Sequence, residues 1–352
     1  MNAALDISTR RLAEARQRGD ADDIAEALAL HANDLLQSGR TRDARLELDE
    51  AAVIHRARGR VYDEARCTQL AGTLCRFEGR LDDAKDRSSR ALELSESKGP
   101  IAVSAYAELG ETAMAEGNNA EAAKAYRAAL ETGQDTGLVD SARAGLLGKR
   151  AVALTAAGQY DDAVRDLESA HDLLARTGDR AGALRALIEE ATAFRHAGQF
   201  AEAERIVRRA LDAARQADDH AALADLHLLL TAQALDRRDA PGAMASAQTA
   251  RTQALAANAP TSYVGAALAI AQLAESMGDR AGAYEALAVG WVTLADLLGH
   301  DLARMTFEPK LKEMRERWGA RDFDEVKKVY EAHRQRSTSD LTKPTERPHS
   351  EG

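Results

Sequence analysis

The stretch GQYDDAVRDLESAHDLLARTGDRAGALRALIEEATAFRHAGQFAEA, residues 158–203, decides the fold. It opens on GQYDDA and closes on its near copy GQFAEA, which begins 40 residues later. Working outward, the strings GRTRDA, GRLDDA, GNNAEA, GQYDDA, GQFAEA, RDAPGA and GDRAGA begin at 39, 79, 117, 158, 198, 238 and 278, with spacings of 40, 38, 41, 40, 40 and 40. Each string ends in an alanine: Ala44, Ala84, Ala122, Ala163, Ala203, Ala243 and Ala283. Seven residues on, a second small column runs Ala51, Ala91, Ala129, Ala170, Ala210, Ala250 and Gly290. Seven residues before each string a third runs Ala32, Gly72, Gly110, Ala151, Ala191, Thr231 and Ala271. A fixed period of this length marks a repeat architecture.

Each unit contains two apolar-periodic segments of about 15 residues, the signature of amphipathic helices. The glycine of the string supplies the positive φ that ends the first helix, and the acidic residues after it favour the start of the second. Small residues in three columns let helix backbones approach closely where they cross. Larger ones fill the gaps: Leu28, Leu147 and Leu187 in the first helices, Leu48, Tyr126, Leu167 and Leu287 in the second. Links such as SKGP (97–100), TGDRAG (177–182) and ANAPTS (257–262) carry the Gly and Pro of short connectors. One helix hairpin cannot bury its apolar face alone, so the units must stack into an α-solenoid.

The composition agrees. Of 352 residues 76 are alanine, 14 aromatic and six proline, which favours helix throughout and suits many thin helix contacts better than one large core. The net charge of −10 is spread without a run of five like charges, so it reads as a solvated surface and not as a nucleic-acid or anionic-membrane footprint. No uninterrupted apolar stretch approaches the length of a membrane span, and the N-terminus MNAALDISTRRLAEARQRGD is not of a signal or transit type. Cys67 and Cys75 lie eight residues apart on one expected helix, about 12 Å along its axis, too far for a disulfide. They read as core-filling thiols of a reducing, cytoplasmic compartment.

With a small residue in mid-helix A, glycine at the turn and an alanine pair in helix B, the unit resembles the tetratricopeptide repeat over residues 21–298. The 40-residue period is similar to the extended form of kinesin light chains, LGN-type adaptors, Rap-type peptide receptors and MalT-like regulatory domains. The resemblance implies an all-α, right-handed α-α superhelix of about seven helix-turn-helix repeats plus terminal capping helices. The sixth unit departs from the pattern, with Arg238 at the glycine position and Pro241 and Gly242 in the turn.

Residues 1–20 read as an N-terminal capping helix over 3–18, with Leu5, Thr9, Leu12 and Ala15 on one face. Six of the 14 aromatics, Tyr284, Trp291, Phe307, Trp318, Phe323 and Tyr330, gather near the other end. There 299–336 reads as a degenerate eighth repeat, with Pro309 in the first turn of a short helix and Val326 at the small-alanine position of helix B. Residues 337–352 lack apolar periodicity and read as a disordered tail.

Catalytic patterns are missing from the sequence. No HExxH, zinc-spaced Cys/His cluster, P-loop or GxSxG motif occurs. The pairs Asp82–Asp83 and Asp161–Asp162 recur at one repeat position, which suits helix-start electrostatics better than acid–base chemistry. The expectation is a non-enzyme without cofactor or metal.

In the resembling family helix A lines the concave face, so the repeat phase implies groove positions. They include Asn33, Thr73, Glu111, Thr192 and Gln272 in one column, Arg76, Arg195 and Glu275 in another, and Arg66 and Arg185 in a third. The four arginines suit carboxylates of an incoming segment. The carboxylate clamp of chaperone-binding members is not matched apart from Asn33. These readings lead to a cytoplasmic adaptor that holds a protein or peptide segment, without nucleic acid or membrane as partner. The alternative is a ligand-gated regulator of a separate transcription factor or enzyme. The aromatic C-terminal cap offers a further surface, for self-association.

Overall fold

The computed structural model describes residues 3–341, and among them it is built of 17 helices. A leading helix, α1 (Ala3–Arg18), is followed by sixteen helices that alternate as A and B, seven A–B pairs packing as hairpins within the compact units described below and α10 and α11 falling on either side of the unit boundary. The first three pairs are α2 (Ala21–Gln37) with α3 (Thr41–Ala57), α4 (Val61–Phe77) with α5 (Leu81–Leu94), and α6 (Gly99–Ala115) with α7 (Asn119–Asp135). Next come α8 (Asp140–Ala156) with α9 (Tyr160–Thr177), and α10 (Arg180–His196) followed by α11 (Phe200–Gln216). The last are α12 (His220–Asp236) with α13 (Ala240–Ala256), α14 (Pro260–Ser276) with α15 (Arg280–Leu298), and α16 (His300–Trp318) with α17 (Ala320–Leu341). The chain divides into two compact units, one ending at Gln199 and the other starting at Phe200. No feature of the repeat pattern marks that division.

The turn chemistry has a shorter period than the sequence strings suggest. Left-handed backbone recurs at Gly39, Gly79, Gly117, Gly158, Gly198 and Gly278, ending A helices, but also at Gly19, Gly59, Gly99, Gly137, Gly178, Asp218, Asn258 and Gly299 between pairs. The molecule thus repeats one helix-plus-turn about every 20 residues. Aspartates at 179, 219, 239 and 279 cap the following helices by accepting backbone N–H bonds from Gly182, Ala222, Gly242 and Gly282.

Arg238 keeps the turn of the sixth pair, with φ 60°, where every L side chain is strained. Arg238→Gly should therefore stabilise the protein by about 1 kcal/mol in urea unfolding. An unchanged or lower midpoint would show that the turn is not strained.

The small columns lie where helices cross, all alanines of the two B-helix columns being buried. Two glycines make the need for smallness explicit. A Cβ on Gly110 would stand 2.6 Å from the Tyr126 ring, and one on Gly290 2.8 Å from Phe307. Each pair buries a few large side chains among the alanines, including Leu28, Leu48, Tyr126, Leu167, Leu187 and Leu287. Cys67 and Cys75 are buried free thiols, and burial raises the Cys67 thiol to about 11. By length and apolarity alone α15 could cross a membrane. Its Tyr284, Leu287 and Leu294 lie in one buried cluster with Ile270 of α14 and Phe307 and Met314 of α16.

His227 on α12 takes the helical position that Leu28, Leu147 and Leu187 occupy in other A helices. Its Nδ1 is buried without a hydrogen-bond partner, and burial, then the nearby Arg215 charge, lowers its pKa. His55, with an orphaned Nδ1 on α3, is lowered chiefly by burial as well. A depressed histidine pKa favours the neutral ring in the folded state. The resulting stability is present above the unfolded value, about 6.5, and is lost as pH falls through the folded value. Thermal midpoints should drop between about pH 7 and pH 5. His227→Leu should raise the neutral-pH stability by about 1–2 kcal/mol and flatten that drop. A variant as acid-sensitive as the parent would contradict this origin.

Four sequence readings of the termini need correction. In α1 it is Ser8, Leu12 and Ala15 that are buried, while Thr9 is exposed and bonds His31 Nε2 at 3.1 Å. Pro309 lies inside α16. The carbonyl it leaves without a donor belongs to Met305, which is 72% exposed, so water can satisfy it. In α17 the register is shifted by three residues, because Gly319 (φ 83°) ends α16 and the next helix starts at once. The small-column positions therefore fall to Phe323 and Tyr330, whose rings meet Tyr284 at 5.5 and 5.4 Å. Helix α17 continues to Leu341, five residues into the segment expected to be disordered, and the remainder, 342–352, lies outside the described residues.

Candidate functional site

Within each unit, successive A helices are joined by polar contacts one repeat apart. Arg76 Nε of α4 donates to Glu108 Oε1 of α6 at 2.5 Å, and Thr73 Oγ1 donates to Glu108 Oε2 at 2.9 Å. Glu108 is 5% exposed, so this is a buried acid held by a cation and a hydroxyl. The Arg76 guanidinium also lies 4.5 Å from the centroid of Phe77, an exposed ring at the end of α4. One pair further, Lys149 Nζ of α8 meets Glu111 Oε1 of α6 at 2.6 Å. Burial resists ionisation of Glu111, but hydrogen bonds from Lys149 and Tyr126 outweigh it and lower its pKa. In the C-terminal unit Glu275 of α14 accepts from Arg317 at 2.8 and 3.1 Å and from Trp318 Nε1 at 2.7 Å, both on α16. The Arg317 hydrogen bond is the main reason its pKa is low.

Thr73, Arg76, Glu111 and Glu275, read from the sequence as groove residues, are thus engaged within the molecule. Their geometry joins repeats, and Arg76 has no free fork to offer a partner. Thr192 donates to the Ile188 carbonyl of its own helix at 2.9 Å. Arg195 is half-buried on α10. Asn33, Arg66, Arg185 and Gln272 are exposed on A helices, Arg66 with only a 3.8 Å contact to Asp63. Sequence reading missed the partners Glu108, Tyr126, Lys149, Arg317 and Trp318. Opposite charges at near-repeat spacing on A helices were the available signal.

A cleft of about 480 Å³ opens between α14 and α16, over α15. Leu268, Ala271, Leu287 and Met314 form its apolar floor, and Gln272, Glu275, Lys310 and Arg317 stand at its rim. Glu275 and Arg317 occupy each other, whereas Gln272 makes no hydrogen bond among the described residues and Lys310 is half exposed, with Glu313 at 3.2 Å. An apolar floor with a few polar rim groups suits a side chain of a bound segment.

With repeating helix pairs, turn glycines and small crossing columns established, residues 141–216 also match the tetratricopeptide repeat family model. That match spans 76 of the 352 residues, and the repeat fold supports a protein-interaction scaffold generally. The chain is similar in structure to BtubC (BKLC) from P. vanneervenii, with TM-score 0.54, 21% identity, and coverage of 62% of this chain and 94% of that one. It is also similar to apo RapI (TM-score 0.63, 11% identity, 84% and 79% covered). A Rap protein complexed with competence and sporulation factor gives TM-score 0.53 and 15% identity, with 90% and 88% covered. At such identities the likeness shows a shared fold. Comparison with curated protein sequences gives no match.

Proposed function

We propose that this protein is a non-catalytic, cytoplasmic scaffold that holds a segment of a partner protein against its A-helix face. The observation that carries the proposal is the cleft between α14 and α16, with an apolar floor, an uncommitted Gln272 at the rim and beside it Lys310, half exposed and held only by its neighbour Glu313. A partner would place an apolar side chain on Leu268, Leu287 and Met314 and a polar or acidic group near Lys310. The buried free cysteines support the reducing compartment. Affinity purification from the native host with the parent chain and a Gln272→Arg/Lys310→Glu variant tests the proposal. The parent should retain a discrete partner that the variant loses. Equal recovery by both, or no partner, would overturn it.

A second reading, a ligand-gated regulator, draws support from the extent of fold shared with the peptide-complexed Rap protein. It requires a peptide or small ligand to compact the solenoid, measurable as a smaller radius of gyration in solution scattering.

A further inference from the structure

A second cleft, of about 590 Å³, lies between the start of α15 and α17, outside the A-helix face. Its lining includes Ala281, Val326, Val329 and Tyr330, with Glu285 and Glu325 beside them. Val329 is 63% exposed, and Tyr330 leans edge-on against Tyr284. Arg280, also at the cleft, is tied to Asp322 at 2.6 Å and lies 5.4 Å from the Trp318 ring centroid. Glu285 and Glu325 are exposed and form no ion pair among the described residues. The cleft is therefore an apolar slot with two uncompensated carboxylates. From Asp322 to His333 it follows α17 for 11 residues, about 16 Å of helix, long enough to receive two turns of another helix.

The chain itself carries a complementary ridge. On α3, Leu46 (51% exposed) and Val53 (63%) project from one side seven residues apart, about 10 Å along the axis. Arg42, one turn before Leu46, is exposed and makes no ion pair among the described residues. Glu50, between the two apolar residues, is already neutralised by Arg16 at 2.8 and 3.0 Å, and Arg56 at the far end is held by Glu64. The ridge therefore offers two apolar side chains and one free cation to a slot with an apolar floor and free carboxylates.

We infer that this cleft docks α3 of a second copy of the chain. Leu46 and Val53 enter the slot over Val326, Val329 and Tyr330, and Arg42 faces Glu325 or Glu285. Ridge and slot are different surfaces, so the contact is heterologous and builds rings or open chains, unlike a two-fold dimer. The inference does not depend on the α14–α16 cleft, and a failure of either leaves the other intact.

Sedimentation of the full chain from about 1 to about 200 µM tests it, in the concentration range of a modest interface. The average mass should rise with concentration above the 37.8 kDa of one chain, more so at low salt. Leu46→Glu and Val329→Glu should each weaken association at least about tenfold while circular dichroism stays unchanged. Glu325→Arg should weaken it as well, and adding Arg42→Glu to the same chain should restore it. A single-chain mass throughout would overturn the inference. So would association that Leu46→Glu leaves untouched, since the slot would then hold something else.

Discussion

Replacing Arg76 by methionine should lower the unfolding free energy of the N-terminal unit by about 2–3 kcal/mol. Glu108 has only 5% of its side chain in contact with solvent, and Arg76 and Thr73 are what compensate its charge. Removing the cation leaves a buried carboxylate with one hydroxyl donor, and the cost is that of the uncompensated charge. Arg76 is itself 19% exposed, which keeps the effect below the full range for a deeply buried pair. Arg66→Met is the matched control. That side chain is half exposed and only 3.8 Å from Asp63, so the change should stay within about 0.5 kcal/mol. The double variant Arg76→Met/Glu108→Gln should recover part of the loss, because it removes the orphaned charge. Urea unfolding of the four proteins decides the matter. Equal midpoints for Arg76→Met and Arg66→Met would mean that the ladder between α4 and α6 carries no load.

Gly110→Ala should destabilise by about 1–3 kcal/mol although alanine is the better helix former. The added methyl would sit 2.6 Å from a carbon of the Tyr126 ring. That ring is 1% exposed and its hydroxyl bonds Glu111, so it cannot swing aside without losing a contact. Gly145 on α8 is helical too, but a Cβ there meets nothing within 4 Å. Gly145→Ala should therefore stabilise by about 1 kcal/mol. Opposite signs for one chemical change are the signature of a crossing column. Tyr126→Leu added to Gly110→Ala should remove most of the penalty specific to the methyl. If both alanine variants shift stability in the same direction, the close approach of α6 and α7 at Gly110 is not what the column protects.

The fold was legible because its causes are local and repeated. Glycine strings set the A-to-B turns, and alanines seven apart set the crossings. The connectors at 97–100, 177–182 and 257–262 were legible from their Gly and Pro, but their equivalence to the A-to-B turns was not, because between pairs Asp218 and Asn258 adopt the same left-handed backbone as Gly19 and Gly59, at positions where sequence identity does not recur. The register of α17 was misread for a related reason. Phe323 and Tyr330 fill positions that are small elsewhere, as Tyr284 offers them aromatic contacts. The candidate site was less legible. A column read from repeat phase says that a side chain lies on the A-helix face, but not whether a neighbouring repeat already satisfies it. Thr73 and Gln272 share one column of the pattern, yet one is bonded to Glu108 and the other stands free. That distinction depends on pairs such as Arg76–Glu108 and Glu275–Trp318, 32 and 43 residues apart, near one repeat but in no fixed register.

The central claim, that the A-helix face at α14–α16 receives a partner segment, is tested most directly by photocrosslinking in the native cell. A benzophenone side chain placed at Gln272 should form a covalent adduct with one discrete protein. The same probe at Arg208, whose side chain is 74% exposed on the B helix α11, should give none. Adducts of equal yield and pattern from both positions, or none from Gln272, would contradict the account.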